Sequence, residues 1–154
     1  MRRTRTTSFL IDINVWLALS WRIHPCSQVA HHWLASLPRQ KTRLLFCRIT
    51  QLGLLRLMTN TLVMGESVLD VEAALAVFYR WTEDPRVEFA PEPRGLDPAL
   101  RLALAEFAKK SVTKAIMDAY LAAFAEKEAA TLVTFDKALA RMAQRRGSAQ
   151  KLTA

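Results

Sequence analysis

With 154 residues, 51% hydrophobic and 23% charged, the chain can bury one core of ordinary domain size, and its balance excludes a disordered polymer. Only 4 glycines and 6 prolines punctuate it, which favours long helices over an all-β fold with many turns. The formal charge of +8 suits nucleic acid, an acidic protein or an anionic membrane, and equally suits a surface merely solvated by lysine and arginine.

Cys26 and Cys47 lie far apart and without metal-ligand spacing, and Cys47, inside an apolar run, reads as a small buried hydrophobe. Nothing calls for an oxidising compartment, so the expected location is cytoplasmic. Arg2, Arg3 and Arg5 precede an apolar stretch from Phe9 to Trp21 in the manner of a secretory signal. Asp12 and Asn14 interrupt that stretch, which argues against the signal. No uninterrupted apolar run reaches the ~18 residues of a membrane span, so no membrane association is expected.

In chain order, Ser8 to Ile13 reads as a parallel strand buried on both faces, with Asp12 at its end. A helix is expected from near Asn14, and a second from beyond His24-Pro25 to about Leu37. Arg43 to Cys47 reads as a second buried strand, and Thr50 as the cap of a helix carrying Leu52, Leu55 and Met58. Val68 to Trp81 has helical periodicity, Val87 to Ala90 suits a short strand, and Pro91 to Pro98 reads as a loop. Helices are expected over Ala99 to Lys109 and Thr113 to Lys127, then a strand over Thr131 to Phe135 and a helix over Asp136 to Arg145. Residues 1–154 are expected to form one domain with its core at about 7–146, and 147–154 to be a frayed tail. Strands alternating with helices predict a parallel sheet covered on both faces, a three-layer α/β/α domain.

The placement of three aspartates is the informative feature. Asp12 ends the first strand, Asp136 follows the Thr131–Phe135 strand, and Asp118 sits near the start of an otherwise apolar helix. Open α/β sheets bind ligands outside the carboxyl ends of their strands, where two of these acids meet by topology. Grouped carboxylates repel one another, and a hard divalent cation such as Mg²⁺ or Mn²⁺ relieves the repulsion. Each acid also has a plain structural reading. Asp136 can cap the last helix, and Asp118 can complement a helix dipole or pair with Lys114. A strand interior offers Asp12 no such task.

Four strings sharpen this. Phe9-Leu10-Ile11-Asp12-Ile13-Asn14, Cys47-Arg48-Ile49-Thr50-Gln51-Leu52, Ile116-Met117-Asp118-Ala119-Tyr120-Leu121 and Leu132-Val133-Thr134-Phe135-Asp136 resemble, in order and spacing, the acidic motifs of PIN-domain proteins. The nearest subgroup is the VapC toxins of type II toxin–antitoxin operons. The resemblance implies a PIN-like α/β/α fold, metal-dependent endoribonuclease activity toward RNA, a cognate antitoxin protein and a homodimer. It implies Asp12, Asp118 and Asp136 as the metal-binding and catalytic acids, with Asn14 and Thr134 as polar groups orienting them. Gln51 stands where the second motif carries a glutamate, and Met117 where a threonine precedes the third aspartate. The glutamine brings no charge, which implies weaker metal binding and opens a second reading, a weak or inactive PIN module that binds RNA or protein.

Arg48, Lys114 and Lys137 flank the motifs and are the RNA-phosphate candidates. His24, His31 and His32 cluster away from the acids, with the last two pointing different ways on a helix, and do not suggest a metal site. No Gly-rich phosphate loop is present, against a nucleotide-binding alternative. Trp21, Trp33 and Trp81 are candidates for a partner surface, with core packing expected for at least two.

Overall fold

The computed structural model describes residues 5–153. Its centre is a wholly parallel five-stranded sheet built from β1 (Thr7–Ile11), β2 (Thr42–Phe46), β3 (Val87–Phe89), β4 (Thr131–Thr134) and β5 (Ser148–Lys151). The spatial order is β3-β2-β1-β4-β5, so β1 lies in the middle, paired with β2 and β4. Eight helices cover it: α1 (Ile13–Ser20), α2 (Ser27–Ser36), α3 (Arg48–Met58), α4 (Thr61–Met64), α5 (Val71–Thr82), α6 (Leu96–Leu104), α7 (Thr113–Glu128) and α8 (Lys137–Arg146).

The strands are apolar on both faces because both faces are covered. Phe9, Ile11, Leu44, Phe46 and Val133 point into one core, shared with α1 to α5. Their neighbours Leu10, Leu45 and Leu132 point into the other, shared with α6, α7 and α8. The period-two alternation of the strands thus sorts the side chains into two cores and yields the three-layer α/β/α architecture. In the first core the Trp16 ring stacks on Phe46 at 3.8 Å between centroids, and Phe78 meets Phe46 edge-on at 5.0 Å. Gly53 admits the α3–α1 contact: a Cβ there would stand 2.2 Å from Ile13 Cδ1.

Several local expectations need correction. Asp12 is outside the strand: its Oδ1 accepts the Ile13 N–H at 2.7 Å and caps α1, so it does have a structural task. Thr50 is not the cap of α3 but lies inside its first turn. There its hydroxyl oxygen accepts the N–H of the capping Cys47 at 2.9 Å. The 91–98 loop is shorter than expected, because α6 begins at Leu96 and contains Pro98. A proline in the first helical turn removes an N–H that has no intrahelical partner anyway.

The frayed tail is likewise corrected. Residues 148–151 form β5 in parallel register with β4, and Leu152 is buried with its N–H donating to the Thr134 carbonyl at 2.8 Å. Hydrogen bonding to β4 and the burial of Leu152 order a segment whose exposed polar residues carry no apolar signature. Of the three tryptophans, Trp33 is buried in the first core and Trp21 and Trp81 pack half-buried against it. The core takes Trp33 whole and part of Trp21 and Trp81.

Candidate active site

Parallel strands bring all their carboxyl ends to one edge, and at this edge the sequence places Asp12 after β1 and Asp136 after β4. Thr134, fully buried at the end of β4, ties the two together. Its hydroxyl donates to Asp12 Oδ2 at 2.6 Å and its oxygen accepts the Asp136 N–H at 2.9 Å. Asp136 also caps α8, its Oδ1 accepting the Leu139 N–H at 3.0 Å. Asn14 reaches the same turn, with its side-chain oxygen 3.5 Å from the Phe135 N–H nitrogen.

Asp118 enters from α7, and one turn before it Lys114 extends over the cluster. The Lys114 ammonium contacts an Asp136 carboxylate oxygen and lies 3.9 Å from Asp118 Oδ2. The expected pairing of Lys114 with Asp118 is therefore the looser half of a bridge to two acids. Among the described residues no three His, Cys, Asp or Glu side chains converge into a finished ligand set. The aspartates sense one another as charges, with a lysine ammonium reaching two of them.

The electrostatics follow from this layout. Burial pushes the Asp12 carboxyl above the usual range, opposed by the Thr134 and Ile13 hydrogen bonds and reinforced by the Asp136 charge. Burial raises Asp118 too, with Lys114 opposing and Asp136 and Asp12 adding to the rise. The Lys114 hydrogen bond holds Asp136 below the usual range and in turn raises the lysine. Two acids destabilised as anions, beside a third stabilised by a cation, form a site that gains from added positive charge. Three carboxylates are also the oxygen donors that a hard divalent ion takes. Donor type and charge suit such an ion, and Asp12, Asp118 and Asp136 are the acids at this edge that could contribute to holding it.

Gln51 lies on the first turn of α3, after β2, the strand next to β1, and its side-chain oxygen accepts from Arg48 Nη1. The Arg48 guanidinium also rests over the Phe89 ring, 4.6 Å from its centroid. Lys137, exposed at the start of α8, follows Asp136 directly. The bond between Lys114 and Asp136 leaves no mark in the sequence, for the two are 22 positions apart. The nearest signal is a lysine one turn before an aspartate in an apolar helix. The motifs also leave out Arg141 and Arg145, which line a pocket together with Lys114 and Asp118.

Comparison with known proteins identifies the family and the fold. The PIN domain model matches residues 9–145. The chain is 37% identical over 133 residues to Ribonuclease VapC41 of Mycobacterium tuberculosis, covering 84% of this chain and 89% of that protein. Among solved structures, VapBC2 from Rickettsia felis, bound to a DNA fragment from its promoter, superposes with a TM-score of 0.71 at 14% identity. That match covers 96% of this chain and 100% of the other. VapC20 of Mycobacterium tuberculosis, a sarcin-ricin loop cleaving toxin, superposes with a TM-score of 0.58 at 14% identity, over 80% of this chain and 86% of the other. A carboxylate cluster at the carboxyl edge of a parallel sheet, a family model spanning most of the chain and a relative of this identity place the chain in the PIN-domain family, in its VapC branch.

Proposed function

We propose that this protein is a metal-dependent endoribonuclease, the toxin of a toxin–antitoxin pair, that hydrolyses RNA phosphodiester bonds with Asp12, Asp118 and Asp136. The observation that carries the reading is the Thr134 link, which fixes Asp12 against Asp136 at the carboxyl edge of the sheet. A hydroxyl that holds the carboxylate of Asp12 and the backbone of Asp136 at once sets the two residues' relative position, as a working acidic site requires.

A divalent ion held by these acids, Mg²⁺ or Mn²⁺, would supply neutralisation of the phosphoryl charge and would acidify water near neutral pH. The protein's own groups do the positioning. Asp12 has one oxygen engaged by a backbone N–H and the other by Thr134, so its orientation is set before any ligand arrives. Asp136, kept ionised by the Lys114 ammonium, is the group to orient the attacking water. Asn14 braces the turn between them. Lys114, Arg48 and Lys137 meet the phosphate backbone as cations.

The partners follow from the family. VapC41 carries the name ribonuclease, and the VapBC2 structure is a VapBC assembly, which supports RNA as substrate and an antitoxin as binding partner for this chain. A homodimer and a cytoplasmic location belong to the same proposal. Among the described residues no helix is long and apolar enough to cross a membrane.

The test is cleavage of total cellular RNA by the purified protein, with Mg²⁺ or with chelator, against an Asp12→Asn control. Discrete new RNA ends that need both the metal and Asp12 are expected. Intact RNA in every lane would instead favour the second reading, a binding module. That reading rests on Gln51 at the glutamate position and on the Lys114 ammonium already neutralising part of the cluster.

A further inference from the structure

A pocket of about 380 Å³ opens beside the acids, between α7, α8 and the turn after α6. Lys114 and Asp118 belong both to its wall and to the acidic cluster, so the pocket continues the site instead of standing apart from it. Its far wall holds Arg141 and Arg145, one turn apart on α8, and its apolar lining comes from Phe107, Val112 and Met142. Arg145 is paired with Glu106 at 3.0 Å. Arg141 is exposed and makes no ion pair among the described residues.

These features select a ligand. The volume suits one small organic group and not a helical duplex. The half-buried Phe107 ring, with the Lys110 ammonium 5.8 Å from its centroid on one face and Val112 exposed nearby, brings to the pocket wall the aromatic and cationic surface with which unpaired bases stack. A free guanidinium suits a phosphate, which it can grip through two N–H groups. An unpaired nucleotide combines the two chemistries, and RNA whose bases are unstacked can be read in this way.

We propose that this pocket is a subsite for one unpaired nucleotide adjoining the scissile phosphate, with Arg141 on its phosphate and Phe107 under its base. The inference rests on the ribonuclease reading above. It makes Arg141 and Phe107 determinants of substrate affinity, outside the reacting atoms.

The test uses the Asp12→Asn protein, whose altered residue lies outside the pocket, titrated in chelator with a short fluorescent single-stranded RNA. Adding Arg141→Ala is expected to weaken binding about tenfold and to lower the salt dependence by about one phosphate contact. Adding Phe107→Leu, which keeps apolar volume but loses the ring, is expected to weaken binding about tenfold with an unchanged salt slope. In the wild-type background both changes raise KM and leave kcat in place. Unchanged affinity and salt slope in both variants, while wild type still cleaves RNA, would overturn the subsite and leave the ribonuclease reading intact. Neither binding nor cleavage in any form would overturn both. Loss of a protein partner with RNA affinity retained would make the pocket a partner site and overturn the proposal.

Discussion

Thr134 donates its hydroxyl hydrogen to Asp12 across 2.6 Å, joining the ends of two adjacent parallel strands. Because the same oxygen accepts the Asp136 N–H, Thr134→Val removes two bonds at a fully buried position while keeping side-chain shape. A loss of about 1–3 kcal/mol is expected in urea unfolding. A larger proportional loss of RNA cleavage should accompany it, since Asp12 is then held by the Ile13 N–H alone.

Asp12→Asn should separate stability from activity. Burial raises the native pKa of Asp12 above its unfolded value, so the native state keeps this proton to higher pH. The linked stability is present below the unfolded pKa and is lost as pH rises through the folded one. The metal-free variant, which can still cap α1 through its amide oxygen, should therefore gain on wild type as pH rises from about 4 to 7. Thermal unfolding in chelator across that range checks this, and a gap that narrowed instead would sink the assignment. Cleavage should be lost at every pH.

Lys114→Met removes the main cause of the low Asp136 pKa. A depressed carboxyl adds stability above its unfolded pKa and loses it as pH falls through the folded value. The variant should thus be less stable than wild type at neutral pH and match it in acid. Taking a cation from beside two of the acids should also tighten divalent-ion binding about tenfold. Titration with Mn²⁺, followed by the free-ion electron paramagnetic resonance signal, measures it directly.

Gln51→Glu restores a carboxylate on the first turn of α3. Several-fold tighter Mn²⁺ binding is expected, moderated by Arg48, which already holds the Gln51 oxygen and would form an ion pair with the new acid. Equal Mn²⁺ affinity in both proteins would exclude position 51 from the cluster.

Leu152→Ala probes β5. The side chain is buried in the first core and its N–H bonds the Thr134 carbonyl. A stability loss of about 2–3 kcal/mol is expected from the cavity. Increased hydrogen exchange at the amides of 148–151 should accompany it.

The two-core sheet was legible because Phe9 to Ile11, Leu44 to Phe46 and Leu132 to Val133 are continuous apolar runs, as strands buried on both faces must be. Asp12 and Asp136 stood out because they terminate such runs. β5 was hidden: Ser148, Ala149, Gln150 and Lys151 are largely exposed, and backbone pairing leaves no hydrophobic pattern to read. The Lys114 bridge was hidden for another reason. Periodicity reports neighbours one helical turn away, such as Asp118, and carries no information on a partner in another element. Pro98 misled through composition, since a first-turn proline resembles a loop proline until the helix start is known.

The hydrogen bond between Thr134 and Asp12 closes a sequence separation of 122 residues. Closing so long a loop is entropically costly until the intervening strands and helices have ordered, and topologies dominated by distant pairings fold slowly. A partly folded chain, or a fragment lacking either end strand of this pair, therefore has no assembled acidic centre. The acidic edge exists only once nearly the whole fold does.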